Sequence, residues 1–426
     1  MFTRQFTTLL RNLLKFFSVL LAVLFFSCSS GEERPLVIWT DSFSFASYVE
    51  LFNSLNENTK AIVVYKENPA SSLPPAKDEL QPDLVVGSYL KNSSVRRYFS
   101  PLDFLFDDGR ISRVSYYAQL LDYGTVNGKQ YVLPVSFNIP AVIYNSRNAE
   151  FVKTDHLLSL EDMKAFSADF NAVNKSGAYT SMGWGTSWEK DFIYEATKLN
   201  GASYAEKGSS FSWDSAAVDS TLDFLKNWTL KANADTTTEQ NFQFRYLYMP
   251  RYRQVSTSRC LFAYTTSDRF FALTESQKEG LEFRWLGNNG KIPVEDSIVC
   301  MGLYNGSSRI KASEDFISWF FSTDSQRLML ERREKMNLDT VSFGIAGGFS
   351  SLKATNENIF PAFYRNLLGN LPGEKNLVLP RMLPLRWESL KERVIIPYLT
   401  ESVNTDAQTK PVSLEERINN WTKQFY

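Results

Sequence analysis

YVLPVSFNIPAVIYN, residues 131–145, is the stretch around which the rest of the chain is best organised. It follows Asn127-Gly128, the dipeptide that best tolerates the positive φ values of a tight hairpin, so it starts as a strand. Two prolines without ladder donors, Pro134 and Pro140, then flank the polar break Ser136-Phe137-Asn138 before the apolar run AVIY resumes. A central strand buried in one sheet is not written that way. Two readings fit these residues: an edge strand with a kink, or a segment that leaves one lobe and enters another.

At 426 residues the chain exceeds what one hydrophobic core organises, so two lobes or domains are expected. Hydrophobic residues make up 43%, enough to build those cores. A formal net charge of -1 leaves no basic field for phosphate neutralisation, which argues against nucleic acid as a partner. The interleaved Arg and Tyr of FQFRYLYMPRYRQV (242–255) therefore read as a helix with a snorkelling polar face. The single histidine, His156, stands in a polar stretch without Cys or carboxylate partners at metal spacing and reads as a surface residue. That argues against a zinc site and a His-based triad. Cys260 and Cys300 lie in apolar, strand-like segments, either as buried free thiols or as a disulfide, and there is no CxxC pair.

The amino terminus reads as an address. Arg4, Arg11 and Lys15 precede an apolar run from Phe16 to Phe26, about half the length of a membrane-spanning helix. The junction Leu24-Phe25-Phe26-Ser27-Cys28 resembles a bacterial lipobox, with Phe25 where an aliphatic is usual; an ordinary secretory signal with an incidental Cys is the alternative. Residues 1–27 are thus expected to be a lipoprotein signal peptide, Cys28 the lipidated residue, and residues 28–34 a polar tether.

PLVIWTD (35–41) has the pattern of a buried parallel strand, and Asp41 or Ser42 stands where a helix cap is needed, before Phe45, Tyr48, Val49, Phe52 and Leu55 at helical spacing. AIVVY (61–65) and PDLVVG (82–87) are further strands, giving a βαβ lobe whose ligands are expected beyond the C-terminal strand ends. That places Asp41, Ser42 and Phe43 at one mouth position, Ser88 and Tyr89 at another. In SMGWGTSW (181–188), glycines on both sides of Trp184 suit either a loop presenting an indole face or core packing. SFGIAGGFSS (342–351) lacks the GxGxxG and GK[ST] spacings of phosphate loops and reads as a flexible crossing, so no nucleotide cofactor is expected.

Taken in order, the lipobox, LVIWTD with its helix, PDLVVG, GKQYVLPVSFNIPAVIYN, RCLFAYTTSD and SEDFISWFFSTDSQRLMLE resemble the extracellular solute-binding proteins of family 1, the maltose-binding-like lipoproteins of ABC importers. The resemblance covers nearly the whole mature chain. It implies an α/β fold of two lobes, the type II periplasmic-binding-protein architecture, each lobe a mostly parallel sheet flanked by helices. Residues 35–137 with 303–344 would form the N-terminal lobe, and 138–300 with 350–426 the C-terminal lobe. Three crossings are implied near 135–141, 298–303 and 344–351, with ligand closing the cleft by hinge motion. Carried over, the ligand-binding candidates are Asp41, Ser42, Phe43, Ser88, Asn138, Trp184, Thr266, Asp268 and Trp387, with stacking assigned to the two tryptophans and hydroxyl recognition to the two aspartates. The implied function is a monomeric, membrane-anchored receptor, exported and facing the periplasm or the outside, that passes a polar solute, a sugar above all, to permease subunits without metal or cofactor. An exported glycosidase and an adhesin on a retired binding fold are the competing classes.

Overall fold

The computed structural model describes residues 34–208, 210–336 and 342–425. The expected signal peptide and Cys28 lie outside the described residues. Among those described, no helix is long and apolar enough to cross a membrane.

The strand β1 (Leu36–Thr40) is buried along its whole length, as LVIWT requires. It is followed by α1 (Ser44–Leu55), β2 (Ala61–Tyr65) and β3 (Leu84–Gly87), and both strands pair with β1 in parallel. The buried face of α1 carries Phe45, Tyr48, Val49 and Phe52, the helical spacing visible in the sequence. The Asn127-Gly128 turn has φ of 51° and 74°, both positive as a two-residue hairpin turn demands, and joins Thr125–Val126 to Lys129–Gln130.

The stretch 131–145 then divides between two sheets. Its first part is β4 (Val132–Phe137) and its second is β5 (Pro140–Asn145), with Asn138 and Ile139 between them. β4 lies in a six-stranded sheet and β5 in a four-stranded one. Pro134 sits in β4 opposite Cys300 at a register irregularity, and Pro140 opens β5, the two places where a missing donor does least harm.

The second sheet adds β6 (Leu157–Leu158), and after α2 (Leu160–Phe170), α3 (Lys190–Leu199) and α4 (Ser215–Trp228) come β7 (Ala263–Thr266) and β8 (Leu281–Leu286); its order is β7-β5-β8-β6. The chain returns to the first sheet as β9 (Val299–Leu303), builds α5 (Ile310–Phe320) and α6 (Thr323–Lys335), and closes that sheet with β10 (Phe349–Ser350), in the order β10-β4-β9-β3-β1-β2. α5 covers α1: Phe45 stacks on Phe320 with ring centroids 5.3 Å apart, and Phe52 meets Phe316 edge-on at 5.0 Å.

The expectation of mostly parallel sheets needs correction. Within the two large sheets parallel pairing is confined to β1 with β2 and β3, and β6 with β8, and every strand that enters beside a crossing pairs antiparallel; a separate short parallel pair joins Ile292–Pro293 to Leu377–Val378. A chain coming back from the other lobe meets the sheet from the opposite end, so its strands insert in reverse. The fold is two-lobed α/β with mixed sheets.

The Gly-rich stretch expected as the third crossing lies against both sheets: β10 pairs with β4, while Phe343 stacks on Phe271 at 4.8 Å and Phe349 lies 5.8 Å from Trp285 of β8. Ser350 and Thr355 both donate hydroxyl bonds, of 2.7 and 2.8 Å, to Gln326 Oε1 on α6, which ties the residues after it to the first sheet's helices. Farther on, the Asn370 carbonyl accepts from Trp285 Nε1 on β8 at 2.7 Å. The Gly-rich stretch is a packed joint. Ala346 N donates to Tyr48 Oη at 3.1 Å, and a Cβ added at Gly348 would lie 2.6 Å from Phe137 O.

Both described cysteines are free and buried, and burial pushes each thiol up to about 12. His156 is exposed, its Nδ1 3.0 Å from Asn370 Oδ1.

Candidate functional site

The C-terminal ends of β1, β3 and β7 converge on the Asn138 joint, and there a cavity of about 460 Å³ opens. Asp41 enters it just after β1, Ser88 and Tyr89 just after β3, and Thr266, Asp268 and Arg269 at the end of β7. Helix α3 contributes Asp191, Tyr194 and Glu195, the segment before β9 contributes Glu295 and Ser297, and the helical turns after Trp387 contribute Glu388, Lys391 and Glu392. Residues from both sheets and from the connections between them thus share one wall.

Asn138 is the joint's fixed point. Its Nδ2 donates to Gly347 O at 2.9 Å, its Oδ1 accepts from Ser267 Oγ at 2.7 Å, and its carbonyl accepts from Glu295 N at 2.8 Å. Asp41 does not cap α1; that helix starts without a side-chain cap, which leaves the carboxylate free to line the cavity. Burial holds the Asp41 carboxyl above the usual aspartate value.

Asp41, Ser88, Asn138, Thr266 and Asp268 are therefore brought together, and the other four sequence candidates are not. Ser42 and Phe43 line an adjoining hollow of about 640 Å³ beside α1 and α6, where Phe43 is 79% exposed and stacks on Tyr65. Trp184 is fully buried, edge-on to Trp188 and Phe192 at 5.5 and 5.1 Å. Its flanking glycines answer close packing and not loop freedom: a Cβ at Gly183 would lie 2.3 Å from Ser167 Cα, and one at Gly185 2.5 Å from the Trp188 ring. Trp387 is also fully buried, its Nε1 donating to Asp296 Oδ2 at 2.8 Å, so it anchors the residue beneath the cavity and does not face it.

Charge dominates the wall. Eight carboxylates line it, Asp41, Glu67, Asp191, Glu195, Asp268, Glu295, Glu388 and Glu392, against two cations, Arg269 and Lys391. Both cations are already paired, Arg269 with Asp191 at 3.4 Å and Lys391 with Glu388 at 3.0 Å. Tyr89 Oη donates to Glu388. Beneath the floor, Lys198 Nζ lies 3.0 Å from both Glu195 Oε1 and Asp296 Oδ1, and Asp296 Oδ2 accepts from Tyr194 Oη at 2.6 Å. Burial alone would raise Asp296, but Lys198, Lys391 and the bonds from Tyr194 and Trp387 outweigh it and hold the carboxyl below the usual aspartate value. Glu195 and Glu295 go the other way: burial raises both, Lys198 offsets only part, and neighbouring carboxylates add to the rise. Among the described residues no group of three or more candidate ligands is placed to hold a metal ion.

A pH dependence follows. A carboxyl raised in the folded state contributes stability fully present below its unfolded value and lost as pH climbs through the folded one. Glu195 and Glu295 should therefore make the melting temperature fall as pH rises from about 4.5 through neutrality. Melting curves across that range should show the fall, and Glu195→Gln should flatten it; an equal slope in the variant would remove Glu195 from the account.

Sequence reading missed the acidic floor, although α3 carried a signal for it. Every residue from Phe192 to Thr197 of KDFIYEATKL is buried, Glu195 among them, and Lys198 stands three residues after it at pairing distance. A charge inside a helix that is buried nearly all round has to be paired in the interior.

The fold and the position of the cavity define a two-lobed solute-binding architecture. Residues 54–335, more than half of the chain, match the family described as bacterial extracellular solute-binding protein, and the chain belongs to that family. No curated protein matches the sequence. Among solved structures, the sugar-binding protein MalE from Xanthomonas citri is 12% identical, with 92% of this chain and 96% of that one covered and a TM-score of 0.65. An extracellular solute-binding protein of family 1 from Alicyclobacillus acidocaldarius is 10% identical over 92% of this chain and 98% of its own, with a TM-score of 0.61. The GacH receptor of Streptomyces glaucescens, solved unliganded and with acarbose, is 15% identical over 92% and 98%, with a TM-score of 0.59. At these identities the likeness is one of fold. The family and these neighbours are binding proteins.

Proposed function

We propose that the chain is the solute-binding receptor of an ABC importer, lipid-anchored through Cys28 after removal of residues 1–27, and that it captures a sugar or oligosaccharide in the cavity between its lobes. The ligand binds the closed arrangement better than the open one, so it shifts the population by bending the crossings. The loaded monomer then presents its solute to membrane permease subunits without turning it over. Asp41, Ser88, Asn138, Thr266 and Asp268 contact the solute. The observation that carries the reading is the cavity itself, built from strand ends of both sheets around the 137–140 crossing in a chain of this family.

A thermal-shift panel of mono- and oligosaccharides on the mature chain tests it. A cognate sugar at about 100 times its Kd should add about 2.7 kcal/mol to folded-state stability. Asp268→Ala should abolish that shift while the empty protein melts within a few degrees of wild type, because the residue has no ion pair among the described residues. Release of products from a glycoside substrate would overturn the receptor reading.

A further inference from the structure

The cavity's charge goes beyond what a neutral sugar needs. Asp41, Glu67, Asp268 and Glu295 have no ion-pair partner among the described residues, while both cations of the wall are already neutralised. The floor holds a stronger sign. Glu195 is 1% exposed and lines the cavity; its Oε1 is held by Lys198, but its Oε2 has no hydrogen-bond donor, and Glu295 Oε1 beside it has none either. Buried acceptors of this kind are rare unless something outside the protein satisfies them. A neutral sugar hydroxyl could donate to one of them, yet it brings no charge to set against the carboxyls of the wall that have no ion-pair partner. The aromatic residues of the wall are the three tyrosines 89, 194 and 264, so the indole stacking that holds an uncharged ring is missing from it.

We propose that the solute is a cationic saccharide, a sugar bearing a free protonated amine, whose ammonium group donates to Glu195 Oε2 and Glu295 Oε1. This rests on the saccharide reading above. An ammonium brings several N–H donors and one positive charge to the two carboxyl oxygens that Lys198 leaves without a donor. Burial keeps the Glu195 and Glu295 carboxyls partly protonated in the empty protein, with Lys198, Asp296, Lys391 and Asp268 the charged groups facing them. The ammonium takes the proton's place: a carboxylic acid and an ammonium ion become a carboxylate–ammonium pair, and one proton passes to the buffer.

Titration calorimetry on the intact mature chain decides the matter, with glucosamine, galactosamine, mannosamine and chitosan oligosaccharides set against their hydroxyl parents and N-acetyl derivatives. The free amines should bind at least about tenfold more tightly than either neutral counterpart, the ratio one charge-assisted hydrogen bond commands. Titration in two buffers of different ionisation heat should show proton release with the amines only. Glu195→Gln should erase both the preference and the release, and Glu295→Gln serves as a second variant should the first fold poorly. Neutral sugars binding as tightly as the amines would overturn this inference and leave the saccharide receptor standing. Binding of spermidine with no saccharide of either kind bound would overturn the saccharide reading and this inference with it.

Discussion

Asp296→Ala should destabilise the fold by about 3–5 kcal/mol, the cost of stripping a buried charge of its partner. Asp296 is the common acceptor for Lys198, Tyr194 and Trp387, with bonds of 3.0, 2.6 and 2.8 Å. Removing it leaves the Lys198 ammonium in the interior with Glu195, whose own burial favours the neutral acid, and leaves a tyrosine hydroxyl and an indole N–H without acceptors. Urea unfolding should show the loss as a lower midpoint at unchanged slope. Asp296→Asn should recover part of it, since the amide oxygen still accepts one of the neutral donors. A loss below about 1 kcal/mol would mean that solvent reaches Lys198 and that the group is no interior network.

Trp184→Ala should cost about 3–5 kcal/mol through the cavity left among Trp188, Phe192 and their neighbours. Trp184→Phe should cost much less, because the indole Nε1 has no hydrogen-bond partner to lose. The contrast separates packing from ligand stacking. Were Trp184 a sugar platform, the alanine variant would lose affinity and keep its melting temperature. The outcome expected here is the reverse: a lower melting temperature, with ligand still bound by whatever fraction stays folded.

These two residues also mark the limit of what was legible in the sequence. Strands, helices and the divided stretch at 131–145 could be read because burial leaves periodic traces: LVIWT buried throughout, Phe45, Tyr48, Val49 and Phe52 on one helical face, prolines at a break. Asp41, Ser88 and Tyr89 could be placed because strand polarity decides which end faces a ligand, although the same logic also put Ser42 and Phe43 there; Thr266 and Asp268 came only with the family resemblance. Trp184 and Trp387 were beyond that logic. A glycine that admits a neighbour's backbone and a glycine that frees a loop are the same letter, and only the contact with Ser167 tells them apart. Strand direction failed for a similar reason, since parallel and antiparallel insertion of β9 and β10 depends on where the chain has been, over separations far longer than any local pattern. Glu295 and Glu388 reach the cavity from connecting segments whose path no periodicity records.

The strand order has a consequence in time. β9, residues 299–303, lies between β3 and β4, so the first lobe's sheet stays in two pieces until the chain has been made past residue 299, and β10 seals its edge some fifty residues later. Pairings at such separation are slow to form, because loop closure has to precede the contacts that reward it. The amino-terminal third leaves the ribosome unable to complete its own core, and so remains an unfinished sheet until the later strands arrive.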